Sequence, residues 1–261
     1  REIGEAQVVD AADRLTANTA DEADQLVRLY GADLGRVSIV PPGVDLEVFT
    51  SGDQGEARRR LGLPAHARIV TFVGRIQPLK APDILVKAAR LVLDRHPEWQ
   101  ADDLVIGILG GPSGTGLARP TELHDLVEGL NLSRQVRFVP PADRLTLADW
   151  YRASDLVAVP SYSESFGLVA IESLACGTPV VAAAVGGLPT AVGTGGVLVP
   201  THDIADWADA IDGLLRAPDE RKRLSDNAVR HAAQFGWDAT TERLLTAYGD
   251  ACRTRTPSPI H

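Results

Sequence analysis

Residues 156–172 read LVAVPSYSESFGLVAIE: a short apolar run stops at Pro160, a serine-rich turn follows, and the apolar pattern resumes after Gly167. A β-branched run of four, then a turn, then a helical period is the repeating unit of a parallel sheet with covering helices. The same unit recurs on both sides of this stretch. From Ile69 onward the chain alternates IVTFVGR, PDILVKAARLVLDRH, LVIGILGG, ARPTELHDLVEGL, VRFVPP, RLTLADWYRAS, LVAVPS, SFGLVAIESLAC and TPVVAAAVGG. The strand segments are apolar throughout, as strands covered by helices on both faces must be. The pattern predicts an α/β chain built on a doubly wound parallel sheet. Such sheets bind ligands outside the carboxyl ends of their strands. Here those ends carry Gly74 and Arg75, Gly110 and Gly111, Pro140 and Pro141, and Ser161 to Glu164.

Before Ile69 the pattern differs. A helix, a short strand at RLTANT, a capped helix at TADEADQLVRLYG and a strand at RVSIV lead to Pro41, Pro42 and Gly43, a stiff segment suited to a domain crossing. The expected boundary lies at residue 43, with a main domain over 44–235 and a closing segment over 236–261. The chain opens in what reads as the interior of a helix and contains no methionine, so it is expected to be a piece of a longer protein.

With 44% hydrophobic and 23% charged residues the 261-residue chain has the composition of a folded globular protein. A net charge of −9 excludes a general nucleic-acid binder, whose affinity needs many cations on one face. An anionic ligand must then be held by a local site. Cys176 and Cys252 match no metal or redox spacing, and no apolar run has the roughly 18–20 residues of a membrane span. The expectation is a cytoplasmic chain with reduced thiols and no membrane span. His66, His96, His124, His202 and His231 form no metal spacing and are expected to be solvated; Trp150, Trp207 and Trp237 are expected in packing. The GGPSGTG stretch lacks the Gly-Lys-Ser/Thr ending of a P-loop and reads as a crevice loop.

The chemistry-bearing residues sit at the strand ends. After LVAVPS, the backbone N–H groups of Phe166, Gly167 and Leu168 are expected to open a helix and face an anion, with Gly167 allowing close approach. Glu164 and Glu172 bracket the apolar stretch; as helix positions they span about 12 Å at roughly 1.5 Å per residue, a reach that suits hydroxyls at two ends of a nucleotide sugar. Taken alone, the pair reads equally as a helix-start acid and an exposed face. In VGRIQPLKAPD, Arg75 and Lys80 converge on the preceding strand end, where a diphosphate leaving group needs cations.

VGRIQPLKAPD together with SYSESFGLVAIESLACGTPVVAAAVGGLP resembles the donor-binding half of the retaining GT-B glycosyltransferases of family 4, over nearly the whole chain. Within that family the run from GEAQVVDAAD onward, with GGPSGTGLARPTEL and VPSYSESFGLVAIE, is most similar to the actinobacterial branch that opens mycothiol synthesis. The resemblance implies a Rossmann-like donor domain over 44–235, a remnant of the amino-terminal acceptor domain and linker over 1–43, and a carboxy-terminal helix over 236–261 that crosses back to that domain. It implies transfer of N-acetylglucosamine from UDP-GlcNAc to 1D-myo-inositol 3-phosphate by the full-length protein; another hexosyl- or mannosyltransferase and a non-catalytic sugar-nucleotide-binding module are the alternatives. By the same resemblance Arg75 and Lys80 grip the diphosphate, Glu172 holds the ribose, Glu164 acts catalytically at the transferred sugar, and the backbone at Pro141 and Ala142 reads uracil. Arg1 corresponds to an acceptor-phosphate arginine. Tyr151, Arg152, Ser154 and Thr178 correspond to a structural magnesium site, with Ser154 in place of the usual alanine. No cofactor is implied for the chemistry, and a homodimer is implied for the full-length protein. Without the acceptor domain, the 261 residues are expected to bind donor and transfer no sugar.

Overall fold

The structure is a computed structural model and describes residues 2–99, 102–111 and 121–254. It divides into two compact units, one of residues 1–44 with 234–261 and one of residues 45–233.

In the first unit α1 (Glu2–Ala11) precedes β1 (Leu15–Ala17), α2 (Ala20–Tyr30) and β2 (Val37–Ile39), and β1 pairs with β2 in parallel. Local chemistry sets the ends of α2. Thr19 accepts from the Glu22 N–H at 3.2 Å while Glu22 Oε2 accepts from the Asn18 N–H at 2.6 Å, a reciprocal cap that satisfies two otherwise unpaired donors. Gly31 closes the helix in the left-handed region. The Pro41–Gly43 segment packs against the start of the carboxy-terminal helix, Trp237–Thr254: Thr240 Oγ1 donates to Pro41 O at 3.0 Å, and a side chain at Gly43 would meet the Trp237 ring at 2.6 Å.

The second unit runs α3 (Gln54–Arg60), β3 (Arg68–Val73), α4 (Pro82–Arg95), β4 (Leu104–Leu109), α5 (Glu122–Gly129), β5 (Val136–Val139), α6 (Arg144–Ala153), β6 (Leu156–Val159), α7 (Leu168–Ala175), β7 (Val180–Ala183), α8 (Leu188–Val192), β8 (Gly196–Val199), α9 (Ile204–Leu215) and α10 (Pro218–Ala232). All six strands are parallel, in the order β5-β4-β3-β6-β7-β8. The expected doubly wound sheet is therefore present. The order reverses between β3 and β6, so the connections leaving these two neighbours diverge and open a crevice at their carboxyl ends.

Helices cover the sheet in packed groups, α4 with α5 and α9, α3 with α6, and α7 with α10. The central strands β4, β6 and β7 are buried at every residue, whereas the edge strands β5 and β8 are only partly covered. Ile69, Ile84, Leu85, Leu104 and Leu156 are fully enclosed, each worth about 1.5–3 kcal/mol relative to exposure. Trp207 and Trp150 belong to this core, as their amphipathic settings predict, but Trp237 is 55% exposed. Among the described residues no helix is long and apolar enough to cross a membrane.

Candidate functional site

The crevice forms where the β3 and β6 loops meet. After β3 the chain passes Gly74 and Arg75, then makes a short 3-10 turn, Pro78–Lys80, that ends with Ala81 in the left-handed region before α4. After β6 comes the Ser161–Gly167 loop. The two loops are tied by the Tyr162 N–H donating to Leu79 O at 2.9 Å and by an ion pair, Lys80 Nζ to Glu164 Oε2, at 2.5 Å. Both side chains are mostly covered, at 21% and 18% exposure, so the pair is screened less than a surface bridge. Ser161 Oγ stands 3.5 Å from the same carboxylate oxygen.

At the carboxyl ends of β3, β4 and β5 lies a cleft of about 300 Å³ lined by Val73, Gly74, Arg75, Gly110, Pro141 and Ala142 among others. Arg75 is exposed and has no ion-pair partner among the described residues. The strand ends thus bring Arg75, Pro141 and Ala142 to one cleft. The glycine-rich stretch beyond Gly111 lies outside the described residues, as does Arg1.

Glu172, on α7, accepts a hydrogen bond from Tyr151 Oη on α6 at 2.8 Å. Tyr151 is fully buried, its ring edge-on to Phe49 at 5.9 Å between centroids. Burial pushes the Glu172 carboxyl above its ordinary value, while the Tyr151 hydroxyl and the Arg144 guanidinium pull it back. The same burial raises the Tyr151 hydroxyl well above its usual range. Cys176, one turn on, is pushed up to about 12 by burial, which leaves it an inert thiol.

Two expectations about this turn change. The helix begins at Leu168, so Glu164 stands in the loop before it and the helical rise does not measure its separation from Glu172. The space beside Gly167 is taken by packing: a Cβ there would meet Leu188 Cδ2 at 2.7 Å and Ala191 Cβ at 3.3 Å, and φ is +106°. The packing of α8 and the backbone angle each require glycine there. Phe166, next to it, is buried.

His96, His202 and His231 are partly covered and engaged rather than solvated, whereas His66 and His124 are exposed as expected. His96 stacks on Trp99 and meets Asp212 at 2.7 Å, His124 stacks on Phe138, His202 stacks on Tyr162, and His231 contacts the carbonyls of Thr190 and Ala191; His66 lies 3.5 Å from Asp103. The rings of His124 and His202 find aromatic partners on other segments, which spacing along the chain does not reveal.

The residues assigned to magnesium are hydrogen-bonded to protein partners in this arrangement. Thr178 Oγ1 donates to Tyr151 O at 2.6 Å, so two of the four groups satisfy each other. Ser154 O accepts from Gln54 Nε2 at 3.1 Å, and Ser154 Oγ donates to Trp150 O at 2.7 Å. The Arg152 guanidinium donates to Val48 O and Thr50 O. Among the described residues no group of three His, Cys, Asp or Glu side chains could hold a metal ion, and no step of chemistry is assigned to one.

Sequence reading missed the Tyr151 hydroxyl and Gly186. A Cβ at Gly186, where φ is +52°, would fall 2.1 Å from Glu164 O, and the next N–H, of Gly187, donates to that carbonyl at 2.9 Å. The only signal in the chain is the Gly186-Gly187 pair itself.

Known proteins with the same features fall in one group. The family described as "Glycosyl transferases group 1" matches residues 53–231. The D-inositol 3-phosphate glycosyltransferase 2 of Catenulispora acidiphila is 59% identical over 250 residues, covering 95% of this chain and 58% of that protein. The D-inositol 3-phosphate glycosyltransferase of Actinosynnema mirum is 58% identical, covering 96% and 60%. The chain thus spans under two thirds of the length of these relatives. Among solved structures, a sucrose-phosphate synthase from Thermosynechococcus elongatus superposes with a TM-score of 0.82 at 31% identity, over 97% of this chain and 62% of that one. Anabaena HepE, solved in complex with UDP and glucose, has the same fold, with a TM-score of 0.82 at 22% identity over 95% and 66%. From the strand order to the Lys80–Glu164 crevice, this chain belongs to the group 1 glycosyl transferase family.

Proposed function

We propose that the crevice holds a nucleoside diphosphate sugar, with UDP-N-acetylglucosamine as donor, and that the whole protein transfers the sugar to 1D-myo-inositol 3-phosphate, the acceptor named in its relatives, for mycothiol synthesis. The observation that carries this reading is the placement of Lys80 and Glu164 side by side at the strand-order reversal, with Arg75 at the carboxyl end of β3. A diphosphate brought to this point meets two cations, which stabilise the charge that develops on the leaving group. Glu164 then accepts from hydroxyls of the sugar, and Glu172 accepts from the ribose, with the base against the Pro141–Ala142 backbone.

In a retaining transfer the bond between the anomeric carbon and the diphosphate oxygen breaks, and the acceptor oxygen bonds to that carbon on the same face. The acceptor proton passes to the departing phosphate oxygen. This chain needs no protein nucleophile for that route; its residues bind, orient and neutralise. The relatives' names support the acceptor, and HepE, solved with UDP-glucose, makes UDP the nucleotide to test first.

Calorimetric titration with UDP, GDP and ADP tests the reading. One UDP should bind per chain, about tenfold or more tighter than GDP or ADP, the discrimination that one or two specific hydrogen bonds provide. Preference for GDP would instead indicate a mannosyltransferase-type donor.

A further inference from the structure

At the opposite pole of the sheet, where β3 and β6 begin, lies a second cavity of about 460 Å³ whose walls carry Arg58, His66, Arg68, Asp155, Arg216 and Arg221. Four guanidiniums and a histidine face one carboxylate, in a chain whose net charge is −9. The concentration of cations runs against the overall balance and does not follow from composition.

The single carboxylate is already committed. Asp155 Oδ2 accepts from the Ile69 N–H at 2.8 Å and from Arg58 Nη2 at 3.0 Å, and its Oδ1 lies 3.9 Å from Arg221 Nε. It offsets about one of the four arginine charges, leaving a formal surplus of about three around the cavity before His66 is counted. Outer acids relieve this weakly: Arg216 is 3.8 Å from Asp212 and His66 is 3.5 Å from Asp103, with both cationic side chains about two thirds exposed.

Three of the arginines are fixed in place, unlike those of a solvated face. Arg58, 7% exposed, donates from Nε to Ala153 O at 3.0 Å and from Nη1 to Ala65 O at 2.7 Å. Arg221 Nη1 donates to the carbonyls of Leu214 and Leu215 at the end of α9, at 2.5 and 2.6 Å. The Arg68 guanidinium lies over the Trp99 ring at 4.2 Å, which holds its plane and leaves its edge able to donate. Each carries N–H groups beyond those already used. Held donors with surplus positive charge around a cavity of small-molecule size match the tetrahedral, multiply charged oxygens of phosphate, which arginine binds in forked pairs.

We propose that this cavity is a binding site for a small phosphate-bearing anion, separate from the donor crevice. The contact is non-covalent, and the site sits where β3 and β6, the two strands that frame the crevice, begin.

The test uses the 261-residue chain carrying Arg75→Gln and Lys80→Gln, which removes the crevice cations and with them competing diphosphate binding there. Inorganic phosphate, pyrophosphate and a hexose phosphate are titrated calorimetrically at matched ionic strength, with sodium chloride as the control. Saturable binding of one of the three is expected, and the tightest names the ligand class as free phosphate, diphosphate or ester. Adding Arg68→Gln and Arg216→Gln should weaken it about tenfold or more, as loss of two charge-assisted contacts requires. Arg58 is left intact because it braces Ala153 and Asp155. As a second readout, the Nε–H resonances of Arg58 and Arg221 should shift with the phosphate compound and not with chloride. No saturable binding, binding unchanged by the Arg68 and Arg216 substitutions, or equal response to chloride would each overturn the proposal, and none of these bears on UDP binding in the unmutated crevice.

Discussion

Lys80 Nζ and Glu164 Oε2 lie 2.5 Å apart and join the loops that leave β3 and β6, the two strands between which the sheet order reverses. Without ligand, the cation assigned to the diphosphate is therefore neutralised by the acid assigned to the sugar. A bound diphosphate must compete with that carboxylate for the ammonium.

This competition has a sign. Lys80→Ala should weaken UDP binding by about 1.5–3 kcal/mol, the value of a hydrogen bond to a charged group. Glu164→Gln should leave UDP binding equal or tighter, because the carboxylate no longer competes, while the added affinity of UDP-sugar over UDP is lost. Calorimetry with both ligands measures the two effects, and a large loss of UDP affinity in Glu164→Gln would contradict the competition.

Tyr151→Phe removes one oxygen from a fully buried ring and leaves Glu172 without its donor. Stability should fall by about 1.5–3 kcal/mol in urea unfolding, since a partly buried carboxylate loses a hydrogen bond. The preference for UDP over 2′,3′-dideoxy-UDP should fall as well, because the carboxylate is no longer aimed.

Burial raises the Glu172 carboxyl above its ordinary 4.5, so the folded state holds that proton more tightly than the unfolded state. The stability contributed by the neutral form is complete below pH 4.5 and is lost as pH rises through the raised folded value. Glu172→Gln should therefore match the wild type near pH 4 and exceed it at pH 7, read from urea midpoints at both. The same variant should bind UDP more weakly at pH 7.

Gly186→Ala places a methyl group against Glu164 O at a backbone angle that side chains rarely adopt. It should lower stability by about 1–3 kcal/mol and reduce donor affinity by moving Glu164. Gly213→Ala, inside α9 with nothing within 4 Å of the new atom, should be neutral or stabilising by up to about 1 kcal/mol. Thermal unfolding of the two variants side by side separates the close approach from glycine flexibility.

Cys176 is buried with its thiol pushed up to about 12, whereas Cys252 is exposed. Under native conditions a thiol reagent should label Cys252 and spare Cys176, with Cys176 reacting only on unfolding. Mass spectrometry of the labelled chain checks this.

The sheet was legible because its determinants are local and repeated: runs such as VVAA and LVAV are apolar at every position, and only a strand buried on both faces accommodates that. The strand ends were legible for the same reason, and Arg75, Lys80, Glu164 and Ala142 fell where the runs stop. The end of Glu164's loop was not legible, since SESFGLVAIE continues a helical period that tertiary packing cuts at Gly167. Nor was the engagement of His124 and His202, whose stacking partners Phe138 and Tyr162 lie on other segments.

By itself, then, the sequence determined the strand and helix order, the parallel sheet and which residues stand at its carboxyl ends, because burial periodicity and turn chemistry act over a few residues. The strand order, the Lys80–Glu164 pair, the Tyr151–Glu172 hydrogen bond and the close approach of Gly186 to Glu164 were decided only in the tertiary structure. Each joins groups separated by 21 to 84 positions, and such contacts depend on where the crossovers set one element against another, a geometry that no local preference encodes.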